Sequence, residues 1–380
     1  MATVVVLGGG TGGAAAARSL AARLPGNHRV ILVEKEAELH FQPSFLQLMV
    51  GQRQLNETCR PVANLRAAGV DVIIDQALGI NIEKRQVHLT GSTLHYDVLI
   101  VAAGADTSKP DPEGLGDAGF NLYTPDGAAG ICRAIETFEH GEIVLLAAAL
   151  PYKCPCALYE AALMLQSYFA RRGLERKVRI TVYSPEPKPV GTVGERFSRA
   201  VTVALAAKGV ALRCGEHLKS VDPRRRRLRF ASGTEAHFDL LIYIPRNHCP
   251  EAVRRSGLTD ETGWVPADPY TLQTSIPEIY AIGDVNRVRL PSGEDLVKAG
   301  AVAHFQGLVV ADNIAAWFRD RQPKRLFGGK LGSVIETGDS AFAVVGNVYR
   351  HHPNPLVLPA SRGWRLVKRL AEWQWLREHG

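Results

Sequence analysis

Two kinds of chemistry are written into this sequence, one of thiols and one of phosphates. Cys154 stands between Lys153 and Pro155, just ahead of residues 159–165, which carry a helix pattern. A cation and a helix N-terminus beside a thiol lower its pKa and enlarge the thiolate fraction, the nucleophilic form. On local sequence alone an inert buried thiol stays open as the other reading. Cys156 follows two residues later. One proline between the two makes a direct disulfide hard to close, because the bridge needs a defined Cα separation and dihedral. Cys156 is therefore read as a resolving thiol toward an external persulfide. The second chemistry lies at the start of the chain, where Gly8-x-Gly10-x-x-Gly13 is followed by Glu34. Glycines at this spacing allow a tight turn, a close approach of backbone N–H groups to a pyrophosphate, and close packing of helix on strand.

The elements that must position these residues are legible. Residues 2–7 form a β-rich run, 14–24 an alanine-rich helix and 29–33 a second strand ending at Glu34, 21 positions after Gly13. An acid there accepts hydrogen bonds from the ribose of an adenine dinucleotide and disfavours a 2′-phosphate. Residues 96–105 and 238–245 are two similar buried-strand patterns. Residues 279–284 make a strand that runs into Gly283-Asp284, whose carboxylate is suited to the ribityl or phosphate-side hydroxyls of a flavin.

A second dinucleotide turn is expected after the strand at 143–149, but residues 150–155 read Leu-Pro-Tyr-Lys-Cys-Pro. Side chains and prolines there obstruct the backbone approach that a pyrophosphate needs. The next strand, 178–183, runs into Ser184-Pro185 instead of a ribose-binding acid. The central region is thus predicted to bind neither NADH nor NADPH.

Together with Ala102-Ala103-Gly104 and residues 274–284, the glycine turn and Glu34 resemble the flavoprotein disulfide reductase superfamily. Phe41-Gln42-Pro43-Ser44-Phe45, residues 151–155 with Tyr159-Glu160, and Lys298-Ala299-Gly300 resemble its branch of sulfide:quinone oxidoreductases and flavocytochrome-c-type sulfide dehydrogenases. The resemblance implies an α/β fold with two Rossmann-like, three-layer ββα domains and a C-terminal α/β segment. The expected division is 1–110 and 251–325 for the FAD domain, 111–250 for a second domain with a degenerate nucleotide site, and 326–380 for the C-terminal segment. It implies FAD held by Gly8, Gly10, Gly13, Glu34, Ala103, Gly104, Gly283, Asp284 and Lys298. Lys298 would stabilise negative charge on the reduced isoalloxazine, and Cys154 would attack or carry sulfur.

The departures matter as much. The branch's partner cysteine, which pairs with the Cys154 equivalent across the flavin, is Ser333 here, and the position of a third cysteine is Tyr123. Serine neither forms a disulfide nor carries sulfane sulfur. Cys156 is the one local substitute, and Cys249, which the resemblance places in the loop after residues 238–245, is a distant residue able to approach the site. His304 reads as an ordinary helix residue.

Composition bounds the rest. With 380 residues, 46% of them hydrophobic and 22% charged, the profile is globular. Residues 143–151, the longest apolar run, fall far short of the roughly 20 needed to cross a bilayer, and no leader pattern is seen. Forty-five Lys and Arg against 38 Asp and Glu give a net charge of +7. The six cysteines lack paired zinc-site spacing, so no metal is expected. Residues 224–227 are four arginines without interleaved aromatics, read as a solvated turn and not a nucleic-acid site. Residues 364–377 carry Trp364, Trp373 and Trp375 with Arg365, Lys368, Arg369 and Arg377 at helical period, as in an interfacial helix; the alternative is a helix packed on its own domain or on a second copy.

The expected enzyme is a cytoplasmic, peripheral membrane flavoprotein. It passes electrons from sulfide, a thiol or a persulfide through FAD to a quinone. A flavoprotein subunit donating to a cytochrome, an NADH:quinone oxidoreductase and a non-catalytic FAD-binding redox sensor stay open, as does homo-oligomerisation.

Overall fold

The computed structural model describes residues 2–107 and 110–379. Two five-stranded parallel sheets organise it. In the first, the order is Ile279–Ala281, Val98–Val101, Thr3–Leu7, Arg29–Glu34, Asp71–Ile74. In the second it is Phe120–Asn121, Leu240–Ile244, Gly141–Ala147, Val178–Ser184, Ala211–Cys214. The central strands of both are buried on both faces, which is why they read as continuous runs of Val, Ile and Leu. Each sheet has its own three-stranded antiparallel companion, Ala77–Asn81, Gln86–Leu89 and Thr93–His95 for the first, Leu218–Asp222, Arg227–Phe230 and Glu235–His237 for the second. Both units are therefore Rossmann-like and three-layered, and the first is assembled from chain lying on either side of the second.

The two crossings between the sheets run side by side. Asp106 and His248 pair as an antiparallel bridge, with both amide bonds made, at 2.8 and 3.0 Å.

Helix Thr11–Ala21 and helix Gly300–Trp317 meet backbone to backbone. A Cβ on Gly12 would come within 2.8 Å of the Ala303 carbonyl oxygen, and one on Gly307 would strike the Gly12 carbonyl. This contact seats the turn after Ile279–Ala281, where Gln306 accepts from Gly283 N at 2.7 Å and from Asn286 Nδ2 at 3.1 Å.

The arginine-rich turn is ion-paired, Arg226 to Asp239 at 3.6 Å, and Arg227 and Arg229 both to Glu235 at 2.9 Å.

The C-terminal segment is an antiparallel sheet of Lys330–Glu336, Ala341–Asn347 and Leu356–Ser361, followed by helix Arg362–Glu378. The helix is amphipathic. Arg365, Lys368 and Glu372 turn inward with Trp375 and Leu376, whereas Leu366, Val367, Leu370 and Trp373 face solvent at 45–59% exposure. The tryptophans of the helix do not share one face, Trp375 being buried and Trp373 exposed, because buried carboxylates on the neighbouring elements capture Arg365 and Lys368.

Candidate active site

The glycine turn is shaped by contacts that only glycine tolerates. Gly8 has φ +107°, and a Cβ there or on Gly13 would drive into the carbonyl oxygens of Ala102 and Gly8 respectively. At Gly10 and at Gly104 a Cβ would meet nothing within 4 Å. Gly10 thus borders open space at the N-terminus of helix Thr11–Ala21, which no side chain caps, an arrangement suited to a phosphate, and Gly104 borders open space beyond strand Val98–Val101.

Glu34 sits at the end of its strand as expected. Its Oε2 accepts from Gly9 N at 2.6 Å and its Oε1 from Glu36 N at 3.1 Å, so it also braces the glycine turn. Asp284 Oδ1 is buried and has no hydrogen-bond partner among the described residues. A buried carboxylate oxygen without a donor calls for one. The open cradle, the acid at Glu34 and the orphaned oxygen at Asp284 fit a flavin adenine dinucleotide.

The thiols stand next to this cradle. Cys154 N donates to the Lys298 carbonyl at 2.6 Å, and Lys298 Nζ donates to Asp284 O at 2.6 Å and Asn286 O at 3.0 Å, lying 3.6 Å from the Trp264 ring centroid. Burial pulls the Lys298 ammonium down to about 8, against the opposing pull of Asp284. Lys153 is buried, its N–H donates to Asn247 Oδ1 at 2.7 Å, and its Nζ lies over the Tyr123 ring. Tyr123, at the expected third cysteine position, donates its hydroxyl to the Lys153 and Cys154 carbonyls.

Cys154 occupies a left-handed backbone conformation, φ +47°, a strained state of the sort that persists where surrounding structure holds it. Its Sγ is 3.9 Å from Cys156 Sγ, which is in turn 3.7 Å from Ser333 Oγ. The serine thus stands opposite the cysteine turn, as the resemblance implied, but its contact is with Cys156. The two thiols also differ in the opposite order to the expectation. The contact with Cys156 and burial push Cys154 well up, whereas the contacts with Cys154 and Ser333 bring Cys156 down. Cys156 is the first residue of helix Cys156–Arg171, and Cys154 lies outside it.

Cys249 packs in the core beneath the first sheet, with Trp264 and Leu258, and burial raises its thiol to about 11. It faces Lys298 electrostatically and not the thiol turn.

The sequence matches the pyridine nucleotide-disulphide oxidoreductase family over residues 2–144 and 159–307. The chain belongs to that family. It is similar to a mitochondrial sulfide:quinone oxidoreductase of Mus musculus, 24% identical over 351 residues, 88% of this chain and 75% of that one. It is also similar to the sulfide-quinone reductase of Aquifex aeolicus, 24% identical over 340 residues, covering 84% of this chain and 78% of that one. The crystal structure of the sulfide:quinone oxidoreductase from Aquifex aeolicus superposes with a TM-score of 0.88 at 21% identity, over 100% of this chain and 91% of that one.

As an oxidoreductase of this flavin-dependent family, the chain is notable for how its second sheet ends. An acid does lie beyond strand Val178–Ser184, at Glu186, which sequence reading passed over because it comes two residues after the strand. Its Oε2 is taken by the hydroxyls of Tyr152, at 2.5 Å, and Tyr159, at 2.6 Å, both buried. Tyr152, from the segment that replaces the glycine turn, and Tyr159, from the helix after it, thus occupy this acid.

Behind the thiols lies a buried charge cluster that sequence spacing could not reveal. Glu160 Oε1 accepts from Lys368 Nζ and, at 3.0 Å, from Glu336 N. Glu336 also meets Arg365 at 3.2 Å, Gln47 at 2.6 Å and Lys368 at 3.7 Å. Burial raises the Glu160 carboxyl above its ordinary value, and although burial opposes it, Lys368 is held above its own by the two glutamates. Ser44 and Arg53 bind Glu372 at 2.5 and 2.8 Å, and Phe41 packs on Trp375. Residues 41–45, singled out by resemblance, therefore anchor the C-terminal helix.

Proposed function

We propose that this oxidoreductase binds FAD, oxidises sulfide or a related thiol or persulfide, and passes the electrons to a quinone at the surface of the cytoplasmic membrane. The observation that carries the reading is the join between thiols and cradle. Cys154 is hydrogen-bonded to the main chain of Lys298, whose ammonium is bound to the main chain of Asp284 beside the open flavin site. When bound, the flavin supplies the two-electron relay. Gly10, Gly104 and the uncapped helix N-terminus receive the pyrophosphate, Glu34 the adenosine ribose and Asp284 a hydroxyl of the ribityl chain, with Gly8, Gly13, Ala103 and Gly283 giving the backbone its shape. Lys298 and Lys153 would supply positive charge beside a bound flavin, which would favour its taking up electrons. Sulfur is taken up at the Cys154-Pro155-Cys156 turn.

Sulfide and quinone are the substrates for which the similar enzymes of Mus musculus and Aquifex aeolicus are named, and the closed Glu186 site argues against a pyridine nucleotide as donor. The solvent-facing row Leu366, Val367, Leu370 and Trp373 is suited to lie in a headgroup region. No helix among the described residues is long and apolar enough to cross a membrane.

The test is the flavin absorbance of the purified protein under anaerobic conditions, with sulfide in one sample and NADH in another. Sulfide is expected to bleach it and NADH to leave it. Bleaching by NADH alone would overturn the reading of the central domain. Bleaching by neither would favour the redox-sensor reading, to which Ser333 in place of a cysteine also points.

A further inference from the structure

The two thiols of the turn are not equivalent, and the serine opposite them is not a vacant position. Cys156 opens a 16-residue helix with no side-chain cap and no acid in its first turn. Its sulfur lies within reach of two donors, Cys154 Sγ at 3.9 Å and Ser333 Oγ at 3.7 Å. Cys154 stands outside the helix, and its amide is committed to Lys298 O.

We propose that Cys156 is the thiolate of this site, held by the Cys154 thiol and the Ser333 hydroxyl, and that it is the atom on which sulfane sulfur is carried. The assignment rests on the sulfur chemistry proposed above and specifies its nucleophile. In this chain the strand residue that faces the thiols acts as a hydrogen-bond donor to a thiolate, where the resemblance implied a covalent partner. Ser333 is a positioning residue. The charged groups around Cys156 agree in part. Lys368 favours its thiolate and Glu160 opposes it, and the two neutralise each other through their own ion pair. The direction of the Cys156 shift, below an ordinary thiol, accords with the donors it has.

The covalent step is a sulfur transfer without net redox change. The Cys156 thiolate attacks the outer sulfur of a persulfide or polysulfide R–S–SH. One S–S bond forms, giving Cys156–S–SH, and one breaks, releasing R–S⁻. No electron leaves the two partners, and the displaced thiolate takes a proton from solvent or from Cys154.

The experiment is alkylation of the flavin-loaded protein by a small haloacetamide across pH, read by tandem mass spectrometry, with backbone cleavage at Pro155 separating the two cysteines. Cys156 is expected to reach half-reaction at a lower pH than Cys154. Inorganic polysulfide is expected to add the mass of one sulfur to Cys156. Ser333→Ala should move the Cys156 midpoint up and leave that of Cys154 in place, and Ser333→Thr, which keeps the hydroxyl, should restore it. Earlier alkylation of Cys154, or sulfur found on Cys154, overturns the assignment. An unmoved Cys156 midpoint in Ser333→Ala overturns the role of the serine, and the wild-type comparison decides the first point even if that variant does not fold. Failure of sulfide to bleach the flavin while Cys156 remains the earlier thiol would sink the proposed reaction and leave this assignment standing.

Discussion

Cys156 Sγ and Ser333 Oγ face each other at 3.7 Å from a helix N-terminus and a strand that are 177 residues apart in the chain. The pair is close enough that a thiol in place of the hydroxyl would need only a small approach to reach the S–S bond length of about 2.05 Å. Ser333→Cys is therefore expected to form a disulfide with Cys156 on mild oxidation. Thiol titration of the denatured protein should lose two thiols relative to its reduced form and recover them with dithiothreitol. A mixed population bridged to Cys154 would show that the turn rearranges on oxidation.

Lys298 sets a pH dependence. Burial depresses its ammonium to about 8, so the cation is present below that pH and lost above it. Sulfide-dependent flavin reduction should slow as pH rises through about 8. Lys298→Met should be slow at low pH and lack that break, the ratio of the two rates cancelling the ionisation of sulfide itself. For stability the sign is opposite. A folded pKa below the unfolded 10.5 means the unfolded chain binds more protons between those values, so this residue contributes stability that rises from about pH 8 toward 10.5.

Breaking the Glu160–Lys368 pair should be costly. Lys368→Met leaves two buried carboxylates, Glu160 and Glu336, without their ammonium, and removing one partner of a buried pair costs roughly 3–5 kcal/mol. Chemical denaturation should show that loss, and Lys368→Met with Glu160→Gln should recover part of it. An additive double variant would mean that the pair is not coupled.

The exposed row on the last helix predicts membrane binding without a stability cost. Leu366→Ser, Leu370→Ser and Trp373→Ser together should weaken sedimentation with lipid vesicles at least tenfold, since fully burying each such side chain is worth roughly 1.5–3 kcal/mol. The melting temperature should hardly move, because these side chains touch little in the folded protein. Unchanged vesicle binding would favour a protein partner for this face.

The glycines divide into two classes. Gly13→Ala forces a Cβ against the Gly8 carbonyl and should cost about 1–3 kcal/mol of stability as overpacking. Gly10→Leu extends a side chain into open space, so the protein should fold and yet purify without flavin. Yellow Gly10→Leu protein with a full flavin load would refute the placement of the cofactor.

Much of this was legible in the sequence where short-range spacing decides the outcome. Gly8, Gly10, Gly13 and Glu34 belong to one strand–turn–helix–strand unit whose geometry fixes the spacing, and the missing second glycine turn was equally local. Glu186 escaped because it lies beyond the strand end and its role depends on two tyrosines folded over it. The charge cluster escaped for a different reason. Glu160 and Lys368 are 208 residues apart, and helical periodicity in residues 362–378 indicates that one face differs from the other without saying which faces inward. Only the buried acids of neighbouring elements turn the basic side toward the core. The relative standing of the two thiols was hidden likewise, since it depends on a strand residue from the far end of the chain.

The packing of Gly12 against Ala303 and Gly307 also dictates an order of events in synthesis. The glycine turn emerges first from the ribosome, yet the helix that seats against it and the strand at 279–281 that closes its sheet follow some 270 or more residues later, after the whole central sheet. Contacts of such sequence separation form slowly. The second sheet, contiguous in the chain, can mature while the first waits as an unfinished edge at Val98–Val101. The open cradle in this chain is accordingly completed late, and the interval before it is when the open sheet edge is exposed to mispairing with other chains.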